Sequence, residues 1–203
     1  LLLKLGPRRY PGAWFRLPTE EKIIYLTFDD GPTPEVTHFV LETLQLFKAK
    51  ASFFLIGKNV EQYPEIVNRI RSLGHTVGAH CMNHENGMKT DDSTYLKSAE
   101  DSVDLLKDTL LFRPPYGRLR KRQHQELVGK GFQVVFWDVL TYDYDTELSA
   151  SECIELSKSS VKPGSIVVFH DSRKAADRLF KALPSLLKYW HAEGYRFEAL
   201  PKE

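Results

Sequence analysis

Short β-rich runs alternate with helix-period segments along almost the whole chain, and this alternation constrains the fold more than any other feature. "KIIYLTF" (22–28), "ASFFLIG" (51–57), "HTVGAH" (75–80), "FQVVFWDV" (132–139) and "GSIVVFH" (164–170) read as strands, "FRPPYG" (112–117) as a strand turning to loop, and "YRFEAL" (195–200) as a last short strand. The proline pair at 114–115 cannot continue a central strand. Between these runs, Val36, Phe39, Val40, Thr43, Leu44 and Phe47 fall on one helical stripe. "PEIVNRIRSLG" opens with Pro64 and closes with Gly74, a helix start and stop. Further helices are expected over "DSTYLKSAEDSVDLLKDTL", residues 119–130, "SASECIELSKSS" and "ADRLFKALPSLLKYWHAEG", with a bend at Pro184. Strand–helix alternation predicts an α/β fold with a parallel sheet covered on both faces. Seven strand–helix candidates suit either a doubly wound sheet or a barrel of seven units. In both, chemistry belongs at the carboxyl ends of the strands.

The 203 residues contain no internal repeat, low-complexity tract or Ser/Gly linker, so one domain is expected over 1–203. Residues 1–21, with Pro7, Pro11 and Pro18, read as an irregular lead-in. Lys and Arg number 28 against 27 Asp and Glu, which argues against a broad nucleic-acid surface. The short basic cluster "RLRKRQH" (118–124) reads as a solvated helix face that could still contact an anionic polymer. Cys81 and Cys153 stand far apart and are expected to be free thiols. No stretch reaches the ~18 apolar residues of a membrane span. "LLLKLGPRR" is too short for a secretory signal, leaving cell envelope and cytoplasm both open.

Polar residues gather where the strands end. Asp29 and Asp30, His80 and His84, Arg113, Asp138 and Asp143, and His170 occupy five such positions. His80 and His84 are four residues apart, a spacing that on one helical turn points both imidazoles the same way. Two His and one carboxylate form an open set for a divalent metal, with Asp29 or Asp30 as the carboxylate. A metal lowers the pKa of a water it holds, yet a base must still take the proton. One Asp as ligand and its neighbour as base divides that work. Arg113, ahead of the rigid prolines, suits a role beside the base, since a neighbouring cation favours an ionised carboxylate. His170 can give a proton to a leaving amine. His38, His75, His124 and His191 lack such company and read as structural or exposed.

"TFDDGP", "HCMNH", "RPPYG" and "VFH", in this order and spacing, resemble the successive motifs of the polysaccharide deacetylases, the NodB-homology carbohydrate esterases of family 4. The resemblance spans roughly residues 22–200 and implies a distorted (β/α) barrel with fewer than eight units. It implies Asp29 as general base, Asp30 with His80 and His84 as metal ligands, and Arg113 as partner of the base. It places a Tyr116 backbone N–H at the oxyanion, His170 as general acid and Val168 in the acetyl pocket. It implies a divalent metal, zinc first and cobalt, nickel or manganese as alternatives, and an acetylated carbohydrate as partner. The implied activity is removal of N-acetyl groups from chitin- or peptidoglycan-like amino sugars. An O-acetyl esterase, a small-amide or formamide hydrolase and a non-catalytic carbohydrate-binding relative are the other readings. Cys81 replaces the family's usual Ser or Thr, Val168 the usual Leu, and Leu140 and Tyr144 the Asp and Trp of many members. Asp143, or alternatively Asp138, is expected to tune the acid histidine. Tyr116, Trp137, Tyr142 and Tyr144 are candidates for stacking on sugar rings or for barrel packing.

Overall fold

The computed structural model describes residues 2–202. Its strands are β1 (Ile23–Asp29), β2 (Ser52–Leu55), β3 (Thr76–Ala79), β4 (Leu111–Phe112), β5 (Gln133–Val134), β6 (Val139–Leu140), β7 (Ser165–His170) and β8 (Arg196–Glu198). The helices are α1 (Leu2–Arg9), α2 (Pro34–Leu46), α3 (Gly57–Gln62), α4 (Pro64–Ser72), α5 (Asp92–Leu106), α6 (Lys121–Gly129), α7 (Ala150–Lys158) and α8 (Ala176–Ala192). The strands run β5-β4-β3-β2-β1-β7-β6, with β8 beside β1, and every strand pair is parallel. The order's two ends, β5 and β6, are successive pieces of one segment. Residues 133–140 pair with β4 at one end and with β7 at the other. The sheet therefore curls back on itself as a distorted (β/α) barrel.

"FQVVFWDV", expected as a single strand, is interrupted because it changes partners part-way. At the break, Trp14 bridges Val135, and its backbone exchanges hydrogen bonds with Val134 and Phe136. Arg16 bridges Ser165 on β7. The lead-in is thus more ordered than its prolines suggest: it carries α1 and then bridges β7 and the residue beyond β5. α8 runs unbroken through Pro184. The short α3, which begins at the Gly57 that ends "ASFFLIG", is not among the helices expected from the sequence.

Register sorts the side chains. Asp29, Phe54, Gly78 and His170 share one row across β1, β2, β3 and β7. Thr27, Ser52, Thr76 and Val168 share the row two residues below it. Alternate residues such as Leu26, Phe28, Phe53, Val77 and Phe169 face outward, into one apolar layer with Leu41, Leu44, Val67 and Leu183 of the helices. The barrel interior holds a smaller apolar plug of Phe54, Leu111, Val135, Ile166 and Leu200. Gly78 lacks a side chain because the Phe54 ring would lie 2.7 Å from its Cβ. Cys81 and Cys153 are both buried and free.

Candidate active site

Above the apolar plug, the carboxyl ends of the strands open into a groove of about 1100 Å³ with Asp29, Asp30, His80, His84 and His170 among its lining residues. Consecutive strand residues normally face opposite ways, which would separate the two aspartates. Asp29 is the last residue of β1 and points inward; Asp30 lies past the strand end with φ 79°. This left-handed turn sends the second carboxylate into the same groove. Asp30 is held there by its neighbours: Asn59 donates to its carbonyl at 2.8 Å, and Ile56 N–H donates to the Gly31 carbonyl at 3.0 Å.

His80 and His84 do meet, but not through a helical turn. The residues from His80 to His84 form a loop in which Cys81 and His84 have φ of 61° and 59°, and the two rings lie 5.0 Å apart. Left-handed backbone at non-glycine residues is costly and gathers at functional sites; Asp30, Cys81, His84 and Tyr116 all adopt it here. The Nε2 atoms of His84 and His80 are 3.2 and 3.8 Å from Asp30 Oδ1. His80 Nδ1 donates to the Arg113 carbonyl at 2.7 Å, leaving Nε2 as the free lone pair. Burial pushes the His80 imidazole down to about 4 despite the Asp29 charge, so it stands neutral, as a ligand must.

Asp30, His80 and His84 present one donor atom each, all within 4.8 Å of one another. Asp30 Oδ1 is buried and has no hydrogen-bond partner. A buried acceptor without a donor is expensive unless a cation faces it. The donor set and the orphaned oxygen both fit a divalent metal.

Arg113 is fully buried and spends its donors on fixed acceptors. It donates to Asp29 Oδ1 and Thr27 Oγ1, both at 2.7 Å, and to the Phe136 carbonyl at 2.9 Å. Its guanidinium stacks 4.2 Å from the Phe54 ring centre. Asp29 Oδ1 is therefore pinned while Oδ2 is left 3.9 Å from His80 Nε2.

Across β1, His170 is clasped by Asp143. Its ring Nδ1 and its backbone N–H both donate to that carboxylate at 2.8 Å. Burial disfavours the charged ring, but the Asp143 charge and hydrogen bond, with Asp30 and Asp29 nearby, outweigh it and raise the imidazolium to about 9. Asp138, the alternative partner, is occupied elsewhere: it accepts from Ser165 Oγ and Ile166 N–H and anchors the start of β7.

Trp137, Leu140, Tyr116 and Tyr144 line the groove, whereas Tyr142 is not among its lining residues. The Tyr116 ring lies 4.4 Å from His84, and Tyr144 stands edge-on to His170 at 5.0 Å. Val168 is fully buried two residues below His170 and does not line the groove, whose apolar lining includes Ile56, Met88, Trp137 and Leu140.

Three supporting residues went unread in the sequence. Thr27 anchors Arg113. Asp171, fully buried, accepts Gly31 N–H at 3.1 Å and the Thr37 hydroxyl at 2.5 Å, and its own N–H donates to the Asp29 carbonyl. Burial, with Asp30 nearby, raises the Asp171 carboxyl to about 7. Gly31 is the third: a Cβ there would sit 2.2 Å from Asp171 Oδ2. The only signals were the glycine of "TFDDGP" and the Asp that follows "VFH".

Residues 16–135 match the family described as polysaccharide deacetylase. The chain belongs to the polysaccharide deacetylase family. Within that family it is 34% identical to a peptidoglycan-N-acetylglucosamine deacetylase of Bacillus cereus, over 96% of this chain and 92% of the relative. It is 30% identical to the peptidoglycan-N-acetylmuramic acid deacetylase PdaA of Bacillus subtilis, over 93% and 73% of the two chains. A solved structure of a peptidoglycan N-acetylglucosamine deacetylase, in complex with an N-hydroxy benzamide, superposes with a TM-score of 0.90 at 30% identity, covering 97% of this chain and 94% of that one. Family membership makes this chain a deacetylase-class hydrolase.

Proposed function

We propose that this deacetylase removes N-acetyl groups from the amino sugars of a peptidoglycan-like glycan, with Asp29 as base and His170 as acid. The observation that carries this reading is the placement of two separately tethered groups, Asp29 on Arg113 and His170 on Asp143, on neighbouring strands at the floor of one groove beside a metal-type donor set. Asp30, His80 and His84 would hold a divalent cation, zinc being suited to two imidazoles and a carboxylate. When bound, that cation would supply Lewis acidity to the acyl carbonyl and to the attacking water.

The chain's own residues do the rest. Asp29 Oδ2, free of Arg113, takes the proton of the attacking water. Arg113 fixes the other oxygen of that carboxylate and so holds it at one angle. The Tyr116 backbone N–H lies on the left-handed turn that follows the prolines and serves the developing oxyanion. His170 holds a proton that Asp143 helps retain, and donates it to the sugar nitrogen as the C–N bond breaks. An amine leaves poorly unless protonated, and the raised imidazolium pKa keeps that proton in place at neutral pH.

The test is a screen of the metal-loaded protein on chitooligosaccharides, peptidoglycan fragments and acetylated xylan, reading free amine and acetate separately. Amine release equal to acetate release on the amino sugars is the expected result. Acetate released from xylan alone would replace this reading with an O-acetyl esterase.

A further inference from the structure

The basic cluster at 118–124 divides into distinct roles. Arg120 pairs with Asp92 and donates to the Met88 and Thr90 carbonyls, so it fixes the loop that displays Lys89. Arg122 pairs with Glu126 on the helix surface. Arg118 does neither: it is exposed and lines the groove, as Lys89 does. Lys174, also exposed, lines it too, its ammonium 5.8 Å from the ring centre of Tyr144, which is edge-on to His170. Tyr116, two residues before Arg118, packs on His84. Cations therefore accompany the groove on both its metal-ligand side and its His170 side.

No acid balances them. Among the described residues, the only carboxylates lining the groove are Asp29 and Asp30, both in the site itself. Among the described residues, Lys89, Arg118 and Lys174 have no acidic partner, so their charges stay available to the groove that all three line. The chain as a whole carries only +1, so this excess is local. Same-sign charge in a cleft concentrates ligands of opposite charge.

We infer that Lys89, Arg118 and Lys174 form a subsite for carboxylates carried next to the reacting N-acetyl sugar, so that the groove selects an anionic glycan over a neutral one. This deepens the proposed function and rests on it for the placement of the sugar. The carboxylate belongs either to an acidic sugar or to a peptide attached to it; both present the same group to an ammonium or guanidinium.

The experiment is titration calorimetry on the metal-loaded protein at low and high salt. Three glycans of equal length are compared: a neutral chitooligosaccharide, an alternating N-acetylglucosamine–N-acetylmuramic acid strand without peptide, and the same strand with peptide stems. A carboxylate-bearing strand should bind about tenfold more tightly than the neutral one at low salt, as three exposed ion pairs allow, and lose that margin at high salt. Preference only for the strand without peptide assigns the sugar carboxylate, which the stem's amide bond removes in the third glycan; preference only for the third assigns the peptide, and preference for both shows that the subsite takes either carboxylate. The Lys89→Ala/Arg118→Ala/Lys174→Ala variant should erase the margin. Equal binding of all three glycans by the unaltered protein, or a margin that survives in the triple variant, overturns the subsite. Amine release in the same samples reads the proposed function separately. Salt-sensitive, variant-sensitive binding without amine would sink deacetylation and keep the subsite, and amine release without any charge preference would do the reverse.

Discussion

Asp29 and His170 are register partners on adjacent parallel strands, β1 and β7, yet each is tied to a different anchor, Asp29 to Arg113 and His170 to Asp143. Neighbouring strands lie roughly 5 Å apart, so a carboxylate and an imidazole in register could simply pair with each other. The separate anchors prevent that. In the proposed roles, they leave Asp29 to accept a proton and His170 to give one, with the metal-type cluster alongside.

Asp143→Asn should lower the alkaline limb of the pH–rate profile. His170 sits at about 9, above its ordinary 6.5, because of Asp143; removing the anion lowers the imidazolium pKa, and the acid form is lost at lower pH. A folded-state pKa that is raised contributes stability below the unfolded value, lost as pH climbs through the folded one. The wild-type melting temperature should therefore fall between about 6.5 and 9, and fall less in the variant. A limb that stays in place would detach Asp143 from the acid.

Asp29→Asn keeps the side-chain shape and its bond to Arg113 but removes the proposed base. Metal content should be retained, with the rate down by about 10²–10⁴-fold. Elemental analysis beside single-turnover kinetics checks both. Loss of metal together with activity would exchange the roles of Asp29 and Asp30.

His84→Ala and Asp30→Ala should each cut metal stoichiometry, because each removes one of three donor atoms. Asp30→Ala should also melt higher than His84→Ala in the apo form, since it alone deletes a buried oxygen with no partner. Metal titration and melts of the apo forms decide. Unchanged stoichiometry in both variants would move the metal elsewhere.

Gly31→Ala should destabilise the fold by about 1–3 kcal/mol, the usual cost of overpacking. Its Cβ would fall 2.2 Å from Asp171 Oδ2, and relief of that clash displaces the turn carrying Asp30. Weaker metal binding should accompany the lowered melting temperature. A variant with native stability and native metal affinity would show that Asp171 gives way without disturbing the site.

The strand–helix alternation, the parallel sheet and the polar strand ends were all legible in the sequence, because apolar period and strand polarity are local properties; closure into a barrel was implied only by the family resemblance. So was the cast of the site, from Asp29 to His170, since each member sits where an apolar run stops. Arg113 beside Asp29 and Asp143 ahead of Asp138 for His170 were expected too, but the sequence left open why one carboxylate wins and how the loops bring the groups together. Asp143 rather than Asp138 clasps His170 because Asp138 is spent on the start of β7, more than twenty residues away in the chain. His80 and His84 converge through left-handed loop residues and not a helical turn, a conformation fixed by the walls around it. "FQVVFWDV" breaks in two because its ends answer to β4 and β7 at once. Residue types and their order are written along the chain, whereas hydrogen-bond partners are settled only when distant segments compete for the same donors and acceptors in three dimensions.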